Sequence, residues 1–395
     1  MTATPKLYLV AAEESGDVLG GALMAALRAP QPSIAFAGIG GRAMRAQGLT
    51  SAFDTTDLSI IGLTSVPRKL PLIFRRIRET ADAVIAARPD ALVIIDSPDF
   101  THRVARKVRK AAPHLPIINY APPTVWAWRP WRARAMRRYV DEVLAILPFE
   151  PAAFARLEGP HCTYVGHPLA EQIDLLRPNP MEAQTRMSDP PTLLVLPGSR
   201  ASEVRRLAAI FGETIAHVAA RTEALAVVLP TLPHVADLVR DATARWPVRP
   251  RIVLDATEKH AAFRGARAAL AASGTVTLEL ALAGVPTVAA YRIPLWEGLV
   301  FRMMAHIDTA ILANLVLGEK AVPEFLQSEC TPDRLAAALV PLLRDTPERR
   351  RQIEAFARLD RLMDLAGEAP STRAAQAVLA LIAQNTALSS PTASC

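Results

Sequence analysis

Two carboxylates flank a proline in Asp96-Ser97-Pro98-Asp99-Phe100, directly after the apolar run Ala91–Ile95. A proline-stiffened turn at the carboxyl end of a buried strand aims such groups out of a sheet, where a carboxylate can serve as a general base. The competing account is structural, with Asp99 as a helix N-cap and Asp96 holding the loop. A second candidate is Leu193-Leu194-Val195-Leu196-Pro197-Gly198-Ser199-Arg200, with Glu203 shortly after. The apolar residues suit a strand covered on both faces and Pro-Gly ends it. Ser199 can cap a helix, and Arg200 stands where N–H groups and the helix dipole converge on an anion. An ordinary strand-to-helix connection with a surface arginine fits the same residues. The third candidate is Ser273-Gly274-Thr275, whose small hydroxyl residues can take phosphate oxygens, with Glu279 one turn on as an acceptor for sugar hydroxyls. Thr275 as a plain cap and Glu279 as a surface residue is the alternative.

Other signals are weaker. Glu13-Glu14-Ser15-Gly16-Asp17 forms a polar turn between a strand and a helix, where ligands of open α/β sheets bind, although Ser15 or Asp17 capping the helix explains it equally. Gly38-Ile39-Gly40-Gly41 lacks the acidic residue of a dinucleotide site. Pro122 to Arg129 carries Trp126 and Trp128 on a rigid loop suited either to positioning a substrate or to packing in the core. His161, Cys162 and His167 match no zinc spacing, so no metal is expected.

The elements that position these groups alternate strand and helix. Strands are expected at 6–11, 34–37, 91–95, 117–120, 143–147 and 163–165, then at 193–196, 226–229, 252–254, 268–272 and 287–291. Helices are expected at 18–28, 67–88, 201–221, 332–344, 347–359 and 372–383. The apolar stretch Leu58–Leu63 before the basic helix suits either lipid contact or burial. A chain of 395 residues fits two domains. The polar, proline-rich segment from Arg177 to Pro191 is the natural linker, and the Ser/Thr/Pro sequence from Asn385 to Cys395 a disordered tail.

With 51% apolar and 21% charged residues there is material for two cores, and three scattered cysteines argue for a reducing, cytoplasmic setting without disulfides. No segment has the length and apolarity of a membrane span. The +7 charge concentrates at 68–78, 103–110 and 129–138, the last with five arginines beside Trp126, Trp128 and Trp131. Solvated helix faces account for such clusters, as does an anionic membrane surface; with aromatics at 5% and no RNA-binding signature, nucleic acid is not expected.

Together the segments Glu13–Asp17, Gly38–Met44, Ile95–Phe100, Tyr120–Arg129, Leu147–Glu150, Val165–Pro168, Pro197–Arg200 with Glu203, Ser273–Thr275 with Leu278-Glu279, and Asn314 resemble the lipid-A-disaccharide synthase family over nearly the whole chain. The resemblance implies an α/β fold of two Rossmann-like domains (GT-B) facing each other across a cleft. Residues 1–175 would form the acceptor and membrane-facing domain, 176–191 the linker and 192–365 the UDP-sugar domain. A helix at 366–384 would pack back on the first domain, ahead of the tail at 385–395. It implies an inverting glycosyltransferase that moves 2,3-diacylglucosamine from its UDP derivative to 2,3-diacylglucosamine 1-phosphate, with no cofactor, at the inner face of the cytoplasmic membrane, and with homo-oligomers permitted. A UDP-sugar epimerase of the same architecture and a non-catalytic lipid- or nucleotide-binding relative are the alternatives. On this reading Asp96 is the base. Gly198, Ser199, Arg200, Glu203, Ser273, Gly274, Thr275, Glu279 and Asn314 bind the donor, and Glu13, Ser15, Asp99 and Trp126 the acceptor. The chain departs from the family pattern at Ala12, Glu14, Arg42, Ser65, Thr101 and Ala313, mostly in the acceptor half.

Overall fold

The computed structural model describes residues 4–53, 66–293 and 308–389; the apolar stretch Leu58–Leu63 and Ser65 lie outside these. The chain divides into two units, one running to Pro168 and resuming at Gly367, the other Leu169–Ala366. Each is built on a six-stranded sheet. The first contains β1 (Lys6–Ala11), β2 (Ala35–Ile39), β3 (Ala91–Ile95), β4 (Ile117–Tyr120), β5 (Glu142–Ala145) and β6 (His161–Tyr164), in the order β2-β1-β3-β4-β5-β6. The second contains β7 (Thr192–Leu196), β8 (Ala226–Pro230), β9 (Arg251–Val253), β10 (Ala268–Ala272), β11 (Thr287–Tyr291) and β12 (Glu324–Leu326), in the order β12-β11-β10-β7-β8-β9. Every pairing is parallel.

Parallel strands buried on both faces explain the unbroken apolar runs. In the first unit Leu7, Leu9, Val93 and Ile95 point to one face, which is covered by the helix Glu14–Arg28 and by Ala374, Ala375, Val378 and Ile382 of the last helix, Pro370–Ser389. Tyr8, Val10, Leu92 and Ile94 point to the other, under the helices Val66–Ala87 and Pro98–Ala111. The pleat's period of two sorts the residues between the faces. In the second unit, Val204, Leu207, Phe211 and Ile215 of the helix Ala201–Ala219 and Leu335 and Leu339 of the helix Pro332–Leu342 pack on the sheet.

Strand order reverses between β1 and β3 in the first sheet and between β7 and β10 in the second. At such switch points the loops leaving adjacent strands diverge and open a crevice beyond the carboxyl ends. The Glu13 and Asp96 turns follow β1 and β3; the Gly198 and Ser273 turns follow β7 and β10. All four candidate turns therefore lie at the two places where the topology provides a ligand crevice.

Two expectations are corrected. The segment 176–191 is not a free linker, because it contains the helix Pro180–Arg186, started by a capping box between Asn179 and Glu182, and is fastened to the second unit. The buried Arg186 donates to the carbonyls of Phe263, Arg264, Ala283 and Gly284. Arg267 does the same to Arg186 and Ser188, and Arg349 to Arg267 and Leu342. Guanidinium forks satisfy backbone acceptors that helix ends leave unpaired. Burial lowers the Arg186 and Arg349 pKa values to about 10, so both stay charged at neutral pH. The second correction is at the tail, where the last helix continues past Asn385 to Ser389 instead of dissolving into coil; residues 390–395 lie outside the description.

Candidate active site

At the first switch point the chain is held in a strained conformation. Asp96 and Ser97 both have positive φ, +52° and +43°, and Ala121, just after the neighbouring β4, has φ +53°. Left-handed backbone at non-glycine residues costs about 1–3 kcal/mol each and persists where surrounding contacts enforce it. The enforcing contacts are identifiable. Asp96 Oδ1 accepts from the Ser97 N–H at 2.7 Å, Oδ2 accepts from the Ser15 hydroxyl at 2.7 Å, and the Ser97 hydroxyl donates to Glu13 Oε1 at 2.7 Å. Thr101 Oγ1 lies 2.7 Å from the Asp96 carbonyl and supports the turn from beneath. The departure at Thr101 thus still supplies a donor to this loop. Glu13, Ser15 and Asp96 are one hydrogen-bonded cluster, as two adjacent strand ends of a parallel sheet allow.

The remaining first-unit candidates take different positions. Asp99 caps nothing; its exposed carboxylate pairs with Arg132 at 3.1 Å. Trp126 is 8% exposed, so it offers no open aromatic face. Its indole N–H donates to Glu150 Oε1 at 3.2 Å, while Glu150 Oε2 accepts from the N–H groups of Ile146 and Leu147. Burial pushes the Glu150 carboxyl up to about 7. Trp126 therefore braces the loop after β4, and acceptor contact through its ring is not what this geometry offers. Asp17 does not cap its own helix. It accepts from the N–H groups of Gly41, Ala43 and Met44 at 2.7, 2.7 and 3.1 Å, so the glycine-rich turn after β2 already holds an internal anion. Behind Asp99, buried His102 bonds Asn119 Oδ1 through Nε2 at 3.1 Å, which leaves Nδ1 to accept from the Tyr139 hydroxyl at 3.0 Å; burial lowers its pKa to about 4.

At the second switch point the turns after β7, β8 and β10 enclose a cavity of about 390 Å³. Gly198, Ser199, Arg200, Glu203, Ser273, Gly274, Thr275 and Glu279 all line it. Asn314 does not. It is buried, with both amide atoms bonded to the backbone of Val322, so its contribution is to hold the segment before β12. The N-cap position falls on Arg200 rather than Ser199, and the cap's role passes to Glu203, whose Oε2 accepts from the N–H groups of Ser199 and Arg200 at 3.0 and 3.2 Å. Gly198 has φ +117°, and a Cβ there would collide with the Glu203 carboxylate. The N–H groups of the turn are thus taken by a carboxylate of their own helix. The Arg200 side chain is 78% exposed, and its guanidinium reaches Glu203 at 3.4 Å. His234, on the turn after β8, bonds the Ser199 carbonyl at 3.0 Å. Glu279 is not a surface residue; it faces the cavity and pairs with Lys259 at 2.6 Å. Lys259 and His234 carry no sequence signal, because each is a lone polar residue on an element brought here only by the sheet.

Among the described residues no three His, Cys, Asp or Glu side chains gather as metal ligands, and no helix is long and apolar enough to cross a membrane.

A tandem pair of doubly wound parallel sheets, each with a polar cluster at its switch point, defines the two-domain α/β class of the GT-B glycosyltransferases and the sugar-nucleotide epimerases that share their fold. Among solved structures, the UDP-GlcNAc 2-epimerase of Neisseria meningitidis bound to UDP-GlcNAc superposes with a TM-score of 0.61 at 12% identity, covering 96% of this chain and 100% of its own. MurG of Acinetobacter baumannii gives 0.54 at 14%, covering 96% and 99%. At such identities these likenesses concern the fold alone. The sequence comparisons are more specific. The family model described as lipid-A-disaccharide synthetase matches residues 7–381. The lipid-A-disaccharide synthases of Rhodopseudomonas palustris (strain HaA2) and Nitrobacter hamburgensis are each 57% identical, over 95% of this chain and 96% and 95% of their own lengths. The chain belongs to the lipid-A-disaccharide synthase family.

Proposed function

We propose that this protein transfers 2,3-diacylglucosamine from UDP-2,3-diacylglucosamine to 2,3-diacylglucosamine 1-phosphate, releasing UDP and forming a β-1,6-linked disaccharide 1-phosphate. The observation that carries the reading is the strained Asp96 carboxylate at the first switch point, held by Ser15 and its own turn. A base needs a fixed direction of approach, and strain maintained by three side chains supplies it. Asp96 takes the proton of the acceptor 6-hydroxyl as that oxygen bonds to the anomeric carbon. The bond from that carbon to the diphosphate breaks in the same displacement, its electron pair leaving on UDP, and the configuration inverts.

The donor half belongs to the cavity after β7 and β10. Arg200, unencumbered over most of its surface, stabilises the leaving diphosphate, where charge develops in the transition state. Gly198 and Ser199 shape that turn, Ser273, Gly274 and Thr275 line the facing one, and Glu279 accepts from the ribose hydroxyls. Glu203 fixes the turn by accepting from the Ser199 and Arg200 N–H groups. Glu13, Ser15 and Asp99 serve the acceptor side, Glu13 and Ser15 by fixing Asp96.

The first unit also carries a surface suited to anionic lipid. Phe74 is 51% exposed with Arg103 stacked 5.5 Å from its ring centre, and Trp131, 59% exposed, opens an arginine-rich helix. Aromatic and arginine side chains suit the headgroup layer, which supports peripheral association with the inner membrane from the cytoplasmic side.

The test is a disaccharide-forming assay with both lipid substrates. The wild-type protein yields disaccharide and UDP, and Asp96→Asn loses about 10²- to 10⁴-fold in turnover with UDP binding unchanged. Wild-type protein that forms no disaccharide would remove the function, and undiminished turnover in Asp96→Asn would remove the base.

A further inference from the structure

Glu279 presents a problem for a pocket meant to hold a diphosphate, since a bare carboxylate on its wall repels the ligand it should help to bind. Lys259 resolves it. Its helix, Ala256–Gly265, is fixed at the start by Asp255, which accepts from the N–H groups of Thr257 and Glu258 at 2.8 and 3.0 Å. One turn along, the Lys259 ammonium lies 5.2 Å from the centre of the Phe263 ring and 2.6 Å from Glu279 Oε1. The Glu279 side chain is 12% exposed, and its second oxygen has no hydrogen-bond partner among the described residues. A carboxylate held at one oxygen by a cation that a ring also holds has little freedom to turn.

We propose that Lys259 is a positioning residue for nucleotide recognition: it clamps Glu279 Oε1 so that Oε2 is presented to the ribose hydroxyls, and it cancels the carboxylate's charge beside the diphosphate. This rests on the assignment of the cavity to a UDP-sugar. Lys259 acts through Glu279, so its signature is a loss of selectivity for the ribose hydroxyl rather than a loss of catalytic chemistry. A surface ion pair with no such role would leave that selectivity untouched.

Calorimetric titration with UDP and with 2′-deoxy-UDP measures it. Wild-type protein prefers UDP by about tenfold or more, the weight of one hydrogen bond to a charged acceptor. In Lys259→Met the preference falls to about threefold or less while the melting temperature stays close to wild type, and Lys259→Arg, which can still hold Oε1, keeps most of it. Glu279→Gln abolishes it as well. A preference that survives in Lys259→Met overturns this inference alone. No preference in the wild type overturns the ribose assignment of Glu279, and this inference with it. If Lys259→Met is destabilised, Lys259→Arg decides: a retained preference with UDP affinity near wild type supports the clamp, whereas a lost preference with the fold unchanged, or equal loss of UDP and 2′-deoxy-UDP binding, which assigns Lys259 to the phosphates, overturns it.

Discussion

Replacing Glu150 by glutamine should make the protein's stability less dependent on pH, and the direction follows from where this carboxyl sits. Glu150 is 1% exposed and receives three N–H donors, from Ile146, Leu147 and Trp126. Those donors favour the anion, but burial outweighs them and raises the pKa from 4.5 to about 7. Between these values the folded protein binds the proton and the unfolded chain releases it. The stability contributed by the protonated group is therefore fully present below pH 4.5 and is lost as pH rises through about 7. A shift of this size corresponds to about 3 kcal/mol in all, of which about 2 to 3 kcal/mol falls between pH 5 and pH 8. Glutamine cannot ionise, so the difference between wild type and Glu150→Gln isolates this group from every other titration. The amide also has a fixed cost of about 1–3 kcal/mol at any pH, because its NH₂ or its lost acceptor faces a buried donor. The variant should thus be the less stable protein at pH 5 and should draw level with or pass the wild type at pH 8. Urea unfolding at pH 5, 6, 7 and 8, followed by tryptophan fluorescence and analysed for the transition the substitution shifts, measures the difference. A difference that stays constant with pH, or that grows against the variant as pH rises, would refute the argument that burial dominates at this carboxyl.

Three further outcomes follow from the site geometry. Asp17→Ala leaves the N–H groups of Gly41, Ala43 and Met44 without their acceptor and should cost about 2–4 kcal/mol in urea unfolding; an unchanged midpoint would mean that the turn after β2 does not depend on its internal anion. Gly198→Ala forces a side chain into left-handed backbone and against Glu203, so calorimetry should find UDP affinity reduced about tenfold or more, and wild-type affinity would separate this turn from the nucleotide. Sedimentation with anionic vesicles should weaken as salt rises from about 0.1 M to 1 M and the Debye length falls from about 10 Å to 3 Å, whereas salt-independent binding would assign the association to apolar insertion.

The sheets were readable because a parallel strand buried on both faces must be apolar throughout. Ala91–Ile95 and Leu193–Leu196 state this in their residue types, and the turns that end them follow from proline and glycine. The candidate turns after β1, β3, β7 and β10 were legible for the same reason, since a polar cluster after a buried run marks a strand's carboxyl end. What could not be read was which group fills which vacancy. Asp17 lies 24 to 27 residues away from the N–H groups it caps, and nothing in its local sequence points across to Gly41. Glu203 was grouped with the ligand contacts because it matches a family position, and the structure shows its carboxylate accepting from the N–H groups of the turn itself. Asn314 matched a family position but serves the backbone of Val322. The supposed linker failed for a different reason. Proline and polar residues describe a segment that is not a strand, and they do not reveal that Arg186 is buried under four carbonyl groups.

The last helix has a consequence for the order in which the protein can be made. One face of the first sheet is closed by Ala374, Ala375, Val378 and Ile382, residues some 200 positions beyond the end of β6 in the sequence. During synthesis from the amino terminus the first unit is begun early, yet the part of that face that the helix Glu14–Arg28 does not cover stays open until the whole of the second unit has left the ribosome. The second unit, continuous from Leu169 to Ala366, has no such debt and can complete itself first. A strip of unpartnered Leu, Val and Ile is thus exposed for the time it takes to translate an entire domain. Slowing translation within 169–366 would lengthen this exposure without altering a single native contact.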